Sequence, residues 1–433
     1  MKLYSTNNPN ATVSLKEAVF KGLPPDNGLY MPTHIPVLPE SFFHKIETLS
    51  FRDIAFEVSK TLIGDDIPET DLRQIINDVI TFDAPMVHLK DNIYVLELFH
   101  GPSFAFKDFG ARFMARIMSY FLQKENKEIN ILVATSGDTG SAVAQGFLNM
   151  PGIKVTILYP SKKVSDIQEK QLTTLGQNVT ALEVSGNFDD CQRMVKEAFL
   201  DKELNEKLSL SSANSINISR LIPQSFYYFY AYAQAKKLGA ASVVFCTPSG
   251  NFGNLCAGLI GKRMGLPVQK FVAATNANDI VPKYLETGLF SPRASVATLS
   301  NAMDVGNPSN FARIQALYDG DLDKVKVDIV GKAYNDDATR KAMKEVYEQT
   351  GYVMCPHTTV AYLGLSDYLK ESHSEATGIL LSTAHPAKFI DEVQEIIGKN
   401  IEIPEKLAVV LKKEKKSIPM SNNFHDFKRF LLQ

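Results

Sequence analysis

The sequence predicts an α/β protein whose parallel sheets carry helices on both faces, preceded by a largely helical N-terminal module. From about Asn92 onward, short apolar segments of strand length alternate with segments of helical periodicity, which is the pattern of a covered parallel sheet. The first ninety or so residues instead hold a stretch rich in proline and turn residues, Gly22 to Pro39, followed by helix-like segments. A chain of 433 residues exceeds one compact core, and at ~150 residues per domain it predicts two or three domains.

The individual elements follow from periodicity and from breaker residues. Helices are predicted where apolar residues recur at helical spacing, and strands where short apolar runs end in Gly, Ser, Asn or Pro. The predicted strands are Ile93 to Leu98, Ile129 to Ala134, Lys154 to Leu158, Val179 to Val184, Ser242 to Cys246, Lys270 to Ala274 and Thr377 to Leu381. The predicted helices are Phe51 to Leu62, Asp71 to Thr81, one that begins at Lys107, Ser141 to Leu148, Ile167 to Thr174, Asp189 to Phe199, Gln224 to Leu238, one that ends at Met264 and one that ends near Ile397.

Lys107 stands among phenylalanines at the predicted N-terminus of a helix. The helix is predicted because phenylalanine and isoleucine recur every four residues from Phe109 to Phe121. A helix N-terminus carries partial positive charge and aromatic neighbours exclude water, so both effects favour the neutral amine, which is a nucleophile for carbonyls. Taken alone, the same residue also fits a solvated lysine before an ordinary amphipathic helix.

Two loops share the pattern Ser-Gly-Asp/Asn-x-Gly between a predicted strand and a predicted helix. They read Thr135-Ser136-Gly137-Asp138-Thr139-Gly140 and Pro248-Ser249-Gly250-Asn251-Phe252-Gly253. Glycines let the backbone approach a ligand closely, and the N–H groups at a helix start bind phosphate or carboxylate. Neither loop is a Walker A sequence or a GxGxxG fingerprint. Each loop alone is equally a tight turn, but two copies favour a phosphorylated cofactor and an anionic substrate.

Two further strings carry polar groups of the right kind. Ser212 to Arg220 gathers amides, hydroxyls and an arginine, which suit a phosphate dianion. Ser382-Thr383-Ala384-His385-Pro386 ends a strand with hydroxyls and an imidazole. Each string also serves as a helix start without any ligand. Together with Lys107 they indicate a lysine that forms a Schiff base with an aldehyde cofactor bearing a phosphate, which describes pyridoxal 5'-phosphate.

Composition argues against several other classes of protein. The formal net charge is -2 and the basic residues are scattered, so we expect no nucleic-acid partner. The N-terminus has no apolar signal region and no run approaches the ~18 apolar residues of a membrane span, so we expect a cytoplasmic protein without membrane contact. The four cysteines are far apart, without a CxxC pair or metal-ligand spacing, so neither disulfides nor a metal site is predicted.

The motifs together closely resemble the threonine synthase family. They are His100 to Gly110 with its internal Phe-Lys-Asp, Ala134 to Gly140, Asn214-Ser215-Ile216-Asn217, Pro248 to Asn254 and Thr383-Ala384-His385-Pro386-Ala387-Lys388. The opening from Met1 to Tyr30 is also similar to that family's N-terminal domain. The resemblance covers essentially the whole chain in the same order, which makes it far more specific than any single motif.

The resemblance implies a fold and a reaction. The fold is the tryptophan-synthase-β type, with two doubly wound α/β domains, the cofactor between them and an additional N-terminal domain. The implied segments are 1–92 for the N-terminal domain, 93–210 for the smaller α/β domain and 211–433 for the larger one. The implied reaction, the last step of threonine biosynthesis, converts O-phospho-L-homoserine and water to L-threonine and phosphate by γ-elimination and β-addition of water. No obligate protein partner is expected.

The resemblance also implies residue roles. Lys107 resembles the Schiff-base lysine, residues 250–254 resemble the cradle of the cofactor phosphate, and Thr383 resembles the hydroxyl partner of the pyridine nitrogen. Many relatives have asparagine at the position of Asp138, near the cofactor's 3-oxygen, so an acid there has to be protonated or reoriented. The residues expected to bind the cofactor are Lys107, Asp138, Gly250, Asn251, Phe252, Gly253, Asn254 and Thr383. The residues expected to bind the substrate are Ser136, Thr139, Asn214, Asn217 and Arg220.

Three alternatives stay open at this point. A serine or threonine dehydratase or a cysteine synthase of the same fold would need no substrate phosphate site. A non-catalytic relative would bind the cofactor or a phosphorylated ligand without turnover, which an intact Lys107 disfavours. A plain Rossmann-type nucleotide binder would need a fingerprint that the chain lacks.

Overall fold

The structure, a computed structural model, describes residues 1–433. The strands are β1 Lys2–Ser5, β2 Asn8–Ser14, β3 Tyr30–Pro32, β4 Met86–Lys90, β5 Ile93–Glu97, β6 Ile129–Ala134, β7 Ile153–Pro160, β8 Val179–Ser185, β9 Leu210–Ser212, β10 Val243–Pro248, β11 Lys270–Thr275, β12 Ile329–Ala333, β13 Thr377–Ser382 and β14 Ile418–Ser421. Short 3₁₀ turns at residues 46–48, 64–66, 222–224, 301–303 and 386–389 join some of the helices.

The α-helices in chain order are α1 Leu15–Lys21, α2 Glu40–Lys45, α3 Phe51–Ile63, α4 Glu69–Val79, α5 Lys107–Glu125, α6 Asp138–Phe147, α7 Asp166–Thr173, α8 Phe188–Leu200, α9 Lys202–Lys207, α10 Ile218–Leu221, α11 Phe226–Lys237, α12 Gly253–Arg263, α13 Ile280–Thr287, α14 Phe311–Leu317, α15 Leu322–Asp328, α16 Asp336–Thr350, α17 Pro356–Glu371, α18 Ile390–Ile397, α19 Glu405–Leu411 and α20 Phe424–Leu431. No helix has the length and apolar character needed to cross a membrane.

Three sheets organise these elements. A three-stranded antiparallel sheet, in the order β2-β1-β3, belongs to the N-terminal part. A six-stranded sheet has the order β12-β11-β10-β13-β5-β4 and is parallel except for the edge strand β4. A five-stranded sheet, β14-β8-β7-β6-β9, is parallel throughout. The predicted α/β class with two parallel sheets is therefore confirmed.

The central strands read as continuous apolar runs because helices cover both of their faces. Every residue of β10, Val243–Pro248, is buried. The seven predicted strands all exist, each within about two residues of its predicted ends. The strands of the N-terminal sheet were not predicted, since β2, Asn8–Ser14, is polar and almost wholly exposed.

The sheets cross the predicted segment boundaries. Strand β5 pairs with β13 in the six-stranded sheet, although residue 93 opens the segment 93–210 expected for the smaller domain. Strand β14 pairs with β8 in the five-stranded sheet, although it lies in the segment 211–433. Hydrogen bonding between strands far apart in the chain decides sheet membership, and the three boundaries stay a prediction.

One hydrophobic core runs through all three parts of the molecule. A single cluster of 79 buried residues includes Leu3 of the N-terminal sheet, Phe113 of α5 and Phe245 of β10. Helix α5 carries twelve buried residues. Because this cluster includes residues of the N-terminal sheet, the N-terminal part is packed into the common core. All four cysteines of the chain are free and buried.

Candidate functional site

A cavity of about 400 Å³ lies where strands of the two parallel sheets end. It is lined by residues that follow the carboxyl ends of β5, β6, β10 and β13, which is where open parallel sheets bind ligands. Lys107, Asp138, the glycine loop 250–254 and Thr383 each come from one of these four strand ends. The topology therefore gathers residues that are almost 280 positions apart in the chain.

Backbone hydrogen bonds hold the turn before Lys107 against the turn that contains Thr383. The Phe106 N–H donates to the Thr383 carbonyl at 2.8 Å, and the His385 N–H donates to the Phe104 carbonyl at 3.0 Å. Because β5 and β13 are neighbours in the sheet, these bonds continue the pairing of the two strands beyond their ends. The lysine at the start of α5 is thus fixed relative to the Thr383 turn.

The environment of Lys107 favours its neutral amine. Burial lowers the pKa of this lysine, and the positive charges of Lys388 and Arg220 lower it further, whereas Asp138 opposes the shift. The helix N-terminus acts in the same direction as the two cations. A lysine with a lowered pKa at the wall of a cavity has the character of a nucleophile.

Asp138 is ionised and faces a second buried lysine. Its Oδ1 accepts hydrogen bonds from Lys388 Nζ at 2.8 Å and from Gln168 Nε2 at 3.0 Å. Burial opposes ionisation, but the charge of Lys388 and the hydrogen bonds from Lys388 and Gln168 hold the pKa of this carboxyl well below its usual range. In this arrangement the carboxylate is turned towards Lys388, and the role of Asp138 towards the cofactor stays a prediction. Lys388 completes its three donors with the Ser103 carbonyl and Gln171 Oε1.

The loop 250–254 forms a narrow cradle at the start of α12. A Cβ on Gly250 would lie 2.7 Å from the Cα of Met303, so only glycine fits there. The carboxamide oxygen of Asn254 accepts hydrogen bonds from Tyr227 and Tyr228 at 2.7 and 2.9 Å. This orientation leaves the buried Asn254 Nδ2 without a partner in the chain.

Arg220 adds an unpaired positive charge to the cavity. Its side chain is 2 % exposed, and its Nη1 donates to the Ala213 carbonyl at 2.6 Å. Burial lowers the pKa of this guanidinium to about 10, which still leaves it cationic at neutral pH. Its Nε has no hydrogen-bond partner, and the buried Asp108 raises the pKa of Arg220 only through its charge, without a hydrogen bond. A buried cation with a free donor is suited to an anionic ligand.

These features fit a phosphorylated aldehyde cofactor. The helix N-terminus and the glycine cradle suit its phosphate, and the unpartnered Asn254 Nδ2 is a donor that such a group would satisfy. The Lys107 amine lies in the same cavity and is available to an aldehyde. Thr383 lies in the neighbouring turn after β13, and its hydroxyl group is available to a ring nitrogen.

The structure brings most of the sequence-predicted residues together. Those that line the cavity are Lys107, Asp138, Thr139, Arg220, Gly250, Asn251, Phe252, Gly253, Asn254 and Thr383. Ser136 is exposed and does not line it. Asn214 and Asn217 line a different cavity, of about 940 Å³, between the N-terminal part and α8. The roles of all these residues stay predictions.

The geometry gives Asn217 a structural task. Its Nδ2 donates to the Val19 carbonyl at 2.8 Å, and its Oδ1 caps α10 by accepting from the Ser219 N–H at 3.0 Å. Both ends of the amide are therefore occupied. Ser215, from the same string, lines the central cavity instead and accepts a hydrogen bond from Asn251 Nδ2 at 3.3 Å.

Sequence reasoning missed several residues of the cavity wall, among them Ser215, His357 and Asn310. Burial lowers the pKa of His357 to about 4, and its Nε2 accepts a hydrogen bond from the Ala302 N–H at 3.2 Å. His357 is therefore a neutral imidazole, and it holds the segment of Ala302 and Met303 that packs against Gly250. Both His357 and Asn310 lie next to helix starts, so the local sequence gives no sign that distinguishes them from ordinary caps.

Comparisons with known proteins agree with one another. A family model described as "Pyridoxal-phosphate dependent enzyme" matches residues 79–383, "Threonine synthase N terminus" matches residues 2–80, and "Threonine synthase, C-terminal" matches residues 358–431. A threonine synthase of Serratia marcescens is 43% identical over 100% of this chain and 99% of its own length.

Solved structures give the same result. The crystal structure of threonine synthase from Escherichia coli has a TM-score of 0.89 and 41% identity, and the match covers 100% of this chain and 99% of that one. A pyridoxal-phosphate-bound threonine synthase from Brucella melitensis has a TM-score of 0.93 and 33% identity, covering 100% and 98%. The agreement extends over the whole length of the chain.

Proposed function

The chain belongs to the threonine synthase family of pyridoxal-phosphate-dependent enzymes, and we propose that it converts O-phospho-L-homoserine and water to L-threonine and phosphate. The resemblance, the fold type and the cofactor predicted from the sequence are confirmed by the same findings. The enzyme is thus a lyase that depends on pyridoxal 5'-phosphate. The identity of its substrate and the roles of its residues are the proposal.

One observation supports the proposal most strongly. The cavity combines a lysine amine of lowered pKa with a buried arginine that has no acidic hydrogen-bond partner and a free Nε donor. The amine suits the cofactor aldehyde, whereas the arginine suits a phosphate dianion. A substrate that carries an amino group and a phosphate would meet the cofactor aldehyde with its amino group and Arg220 with its phosphate.

The chain's own residues have defined tasks in this reaction. Bound pyridoxal phosphate supplies an aldehyde that condenses with amines and a ring that takes up an electron pair. Lys107 Nζ would hold the cofactor through its aldehyde, and as a free neutral amine it would take the proton from the substrate's α-carbon. Arg220 binds the γ-phosphate and stabilises its negative charge as it departs. The Thr383 hydroxyl would donate a hydrogen bond to the pyridine nitrogen, and residues 250–254 would hold the cofactor phosphate.

The candidate residues for the substrate phosphate differ in the support they have. Arg220 and Thr139 line the cavity, and Ser215 joins them there. Ser136, Asn214 and Asn217 lie outside the cavity wall. We therefore assign the contact with the substrate phosphate to Arg220, Thr139 and Ser215.

We also propose a cytoplasmic location, which four free, buried cysteines support, and a small-molecule substrate without an obligate protein partner.

Replacing Arg220 separates this proposal from a dehydratase or cysteine synthase. In Arg220→Ala we expect the KM for O-phosphohomoserine to rise roughly 10- to 100-fold, because a charged hydrogen-bonded contact to the phosphate is lost. In Arg220→Lys, which keeps the positive charge but loses the planar guanidinium group, the KM should lie between those of the wild type and Arg220→Ala. Steady-state kinetics of phosphate release measure this. Efficient deamination of L-serine or L-threonine by the wild type, together with indifference to Arg220→Ala, would support the rival reaction instead.

A further inference from the structure

Asn310 presents an unsatisfied amide to the same cavity. The residue directly precedes α14, its side chain is 0 % exposed, and it lines the cavity wall. Its Nδ2 has no hydrogen-bond partner in the chain. A Cβ built on Gly253, the first residue of α12, would lie 3.3 Å from this nitrogen. The Asn310 amide therefore lies beside the helix N-terminus that forms the glycine cradle.

Arg313 fixes the direction in which this amide points. Its Nη1 donates to Asn310 Oδ1 at 2.7 Å. A guanidinium group has donors only, so the amide oxygen must face the arginine and the NH₂ group must face away from it. Arg313 also donates from Nε to the Tyr30 carbonyl at 3.1 Å and from Nη2 to the Ile216 carbonyl at 2.6 Å. Arg313 thus holds Asn310 between the N-terminal sheet and the loop that carries Ser215.

The charge around Asn310 selects an anion. Arg313 is completely buried, its partners are two carbonyls and one amide oxygen, and it forms no salt bridge. Its positive charge is therefore not compensated by an acid. Asn254 repeats the arrangement, because two tyrosines hold its oxygen and leave its Nδ2 without a partner. Buried polar groups in proteins are nearly always paired, so two free amide donors at one helix N-terminus call for acceptors from a ligand.

We propose that Asn310 Nδ2 donates a hydrogen bond to a phosphate monoester bound at the N-terminus of α12, and that Arg313 is the positioning residue that orients this amide. The inference rests on the proposed function, since both the cofactor and the substrate carry a phosphate monoester. Their shared chemistry is a tetrahedral dianion with several acceptor oxygens, and the experiment below distinguishes the two sources.

Asn310→Asp is the sharpest test, because it keeps the shape and the oxygen that Arg313 binds. The change replaces the NH₂ group with an oxygen and adds a negative charge facing the ligand. We expect the dissociation constant for the phosphate ligand to rise at least roughly 100-fold, and roughly tenfold in Asn310→Ala, where only the donor is lost. If Asn310 served only to accept the hydrogen bond from Arg313, the aspartate would pair more strongly with Arg313 and the phosphate ligand would bind as in the wild type. A wild-type dissociation constant in Asn310→Asp would therefore overturn the proposal.

Two titrations identify the phosphate. In the first, apoprotein is titrated with pyridoxal phosphate and binding is followed by absorbance and by the ³¹P resonance of the bound phosphate. In the second, cofactor-saturated enzyme is titrated with O-phosphohomoserine and with inorganic phosphate as a competitor. A loss confined to the first titration assigns Asn310 to the cofactor, and a loss confined to the second assigns it to the substrate. Unchanged binding in both refutes the proposal.

Controls separate binding from folding. Asn178→Asp makes the same exchange in a satisfied amide far from the cavity, where Nδ2 donates to the carbonyls of Phe147 and Ile153. It should lower stability and leave both titrations unchanged. If Asn310→Asp does not fold, Asn310→Ala serves for both titrations. Failure of the wild type to bind pyridoxal phosphate or to release phosphate would contradict the proposed function itself, a result separate from that of the variants.

A double-mutant cycle tests the role of Arg313. Arg313→Lys cannot hold three acceptors in the same plane, so we expect it to weaken phosphate binding roughly tenfold while Asn310 is present. In the Asn310→Ala background the same change should have no further effect on binding. Equal effects in both backgrounds would show that Arg313 acts independently of Asn310 and would overturn its positioning role.

Discussion

At the scale of single residues, the paired charges of Asp138 and Lys388 set the electrostatics around Lys107. The Lys388 side chain is 0 % exposed, and its three acceptors match its three N–H donors. The Asp138 carboxylate offsets part of the positive charge that Lys388 and Arg220 bring to the surroundings of Lys107. Lys388 was part of a sequence motif, but only the fold shows that it meets Asp138, 250 positions earlier in the chain.

Removing one partner of this buried pair should be costly. In Lys388→Met we expect the free energy of unfolding to fall by about 3–5 kcal/mol, because an uncompensated carboxylate is left inside the protein. Asp138→Asn in the same chain should recover part of this loss. Urea unfolding of the two single variants and the double variant measures the coupling. Additive losses would contradict the pairing as the structure has it.

His357 makes stability depend on pH in a defined window. Its pKa of about 4 in the folded protein lies below the ordinary value of 6.5, so the unfolded chain binds more protons between these values. Stability is therefore fully present above about pH 6.5 and is lost as the pH falls towards 4. From pH 7 to pH 5, we expect this residue to account for a loss of about 2 kcal/mol.

His357→Gln removes the titrating group while offering an oxygen to the Ala302 N–H. Urea unfolding at pH 7 and pH 5 should show a pH dependence that is smaller by this amount than in the wild type. The exposed His34→Gln serves as the control. An unchanged pH dependence in His357→Gln would mean that the imidazole does not stay neutral in the folded protein.

At the scale of elements, strand-to-helix turns were predictable because their signals are local. Lys107 begins α5 as predicted, and β6 and β10 end in the two predicted glycine loops. Helix α6 begins three residues earlier than predicted, at Asp138, since Gly137 with φ 143° forms its N-cap. Local sequence does not decide which side chains of a string face a cavity, as the separation of Ser215 from Asn214 and Asn217 illustrates.

Gly250 tests the cradle at the start of α12. In Gly250→Ala the new Cβ would press against the backbone of Met303, which cannot move aside as a side chain can. We expect a loss of about 1–3 kcal/mol in stability together with weaker binding of pyridoxal phosphate. Gly261→Ala, within α12, meets only side-chain atoms, those of Phe229 at 3.3 Å and Leu266 at 3.5 Å, and should be tolerated. Equal affinities of Gly250→Ala and Gly261→Ala for pyridoxal phosphate would contradict the role of residues 250–254 in binding the cofactor phosphate.

At the scale of the whole molecule, the cavity depends on contacts between distant parts of the chain. The fold class was predictable from alternating apolar segments, but the order of the strands was not, because β5 and β14 pair with partners more than 200 residues away. For the same reason the wall residues Asn310 and His357 could not be found from the sequence. Arg313, which holds the wall residue Asn310, also donates to the Tyr30 carbonyl and so ties the N-terminal part to this wall.

Phosphate release from O-phospho-L-homoserine by the purified chain, measured with and without pyridoxal phosphate, tests the proposed reaction itself. We predict stoichiometric formation of L-threonine and phosphate that requires the cofactor. In Lys107→Ala, turnover should fall by at least ~10³-fold, and the yellow colour of the cofactor-loaded protein should be lost. A wild-type protein that binds pyridoxal phosphate but releases no phosphate would contradict the proposed reaction, and near wild-type turnover in Lys107→Ala would contradict the role of this lysine.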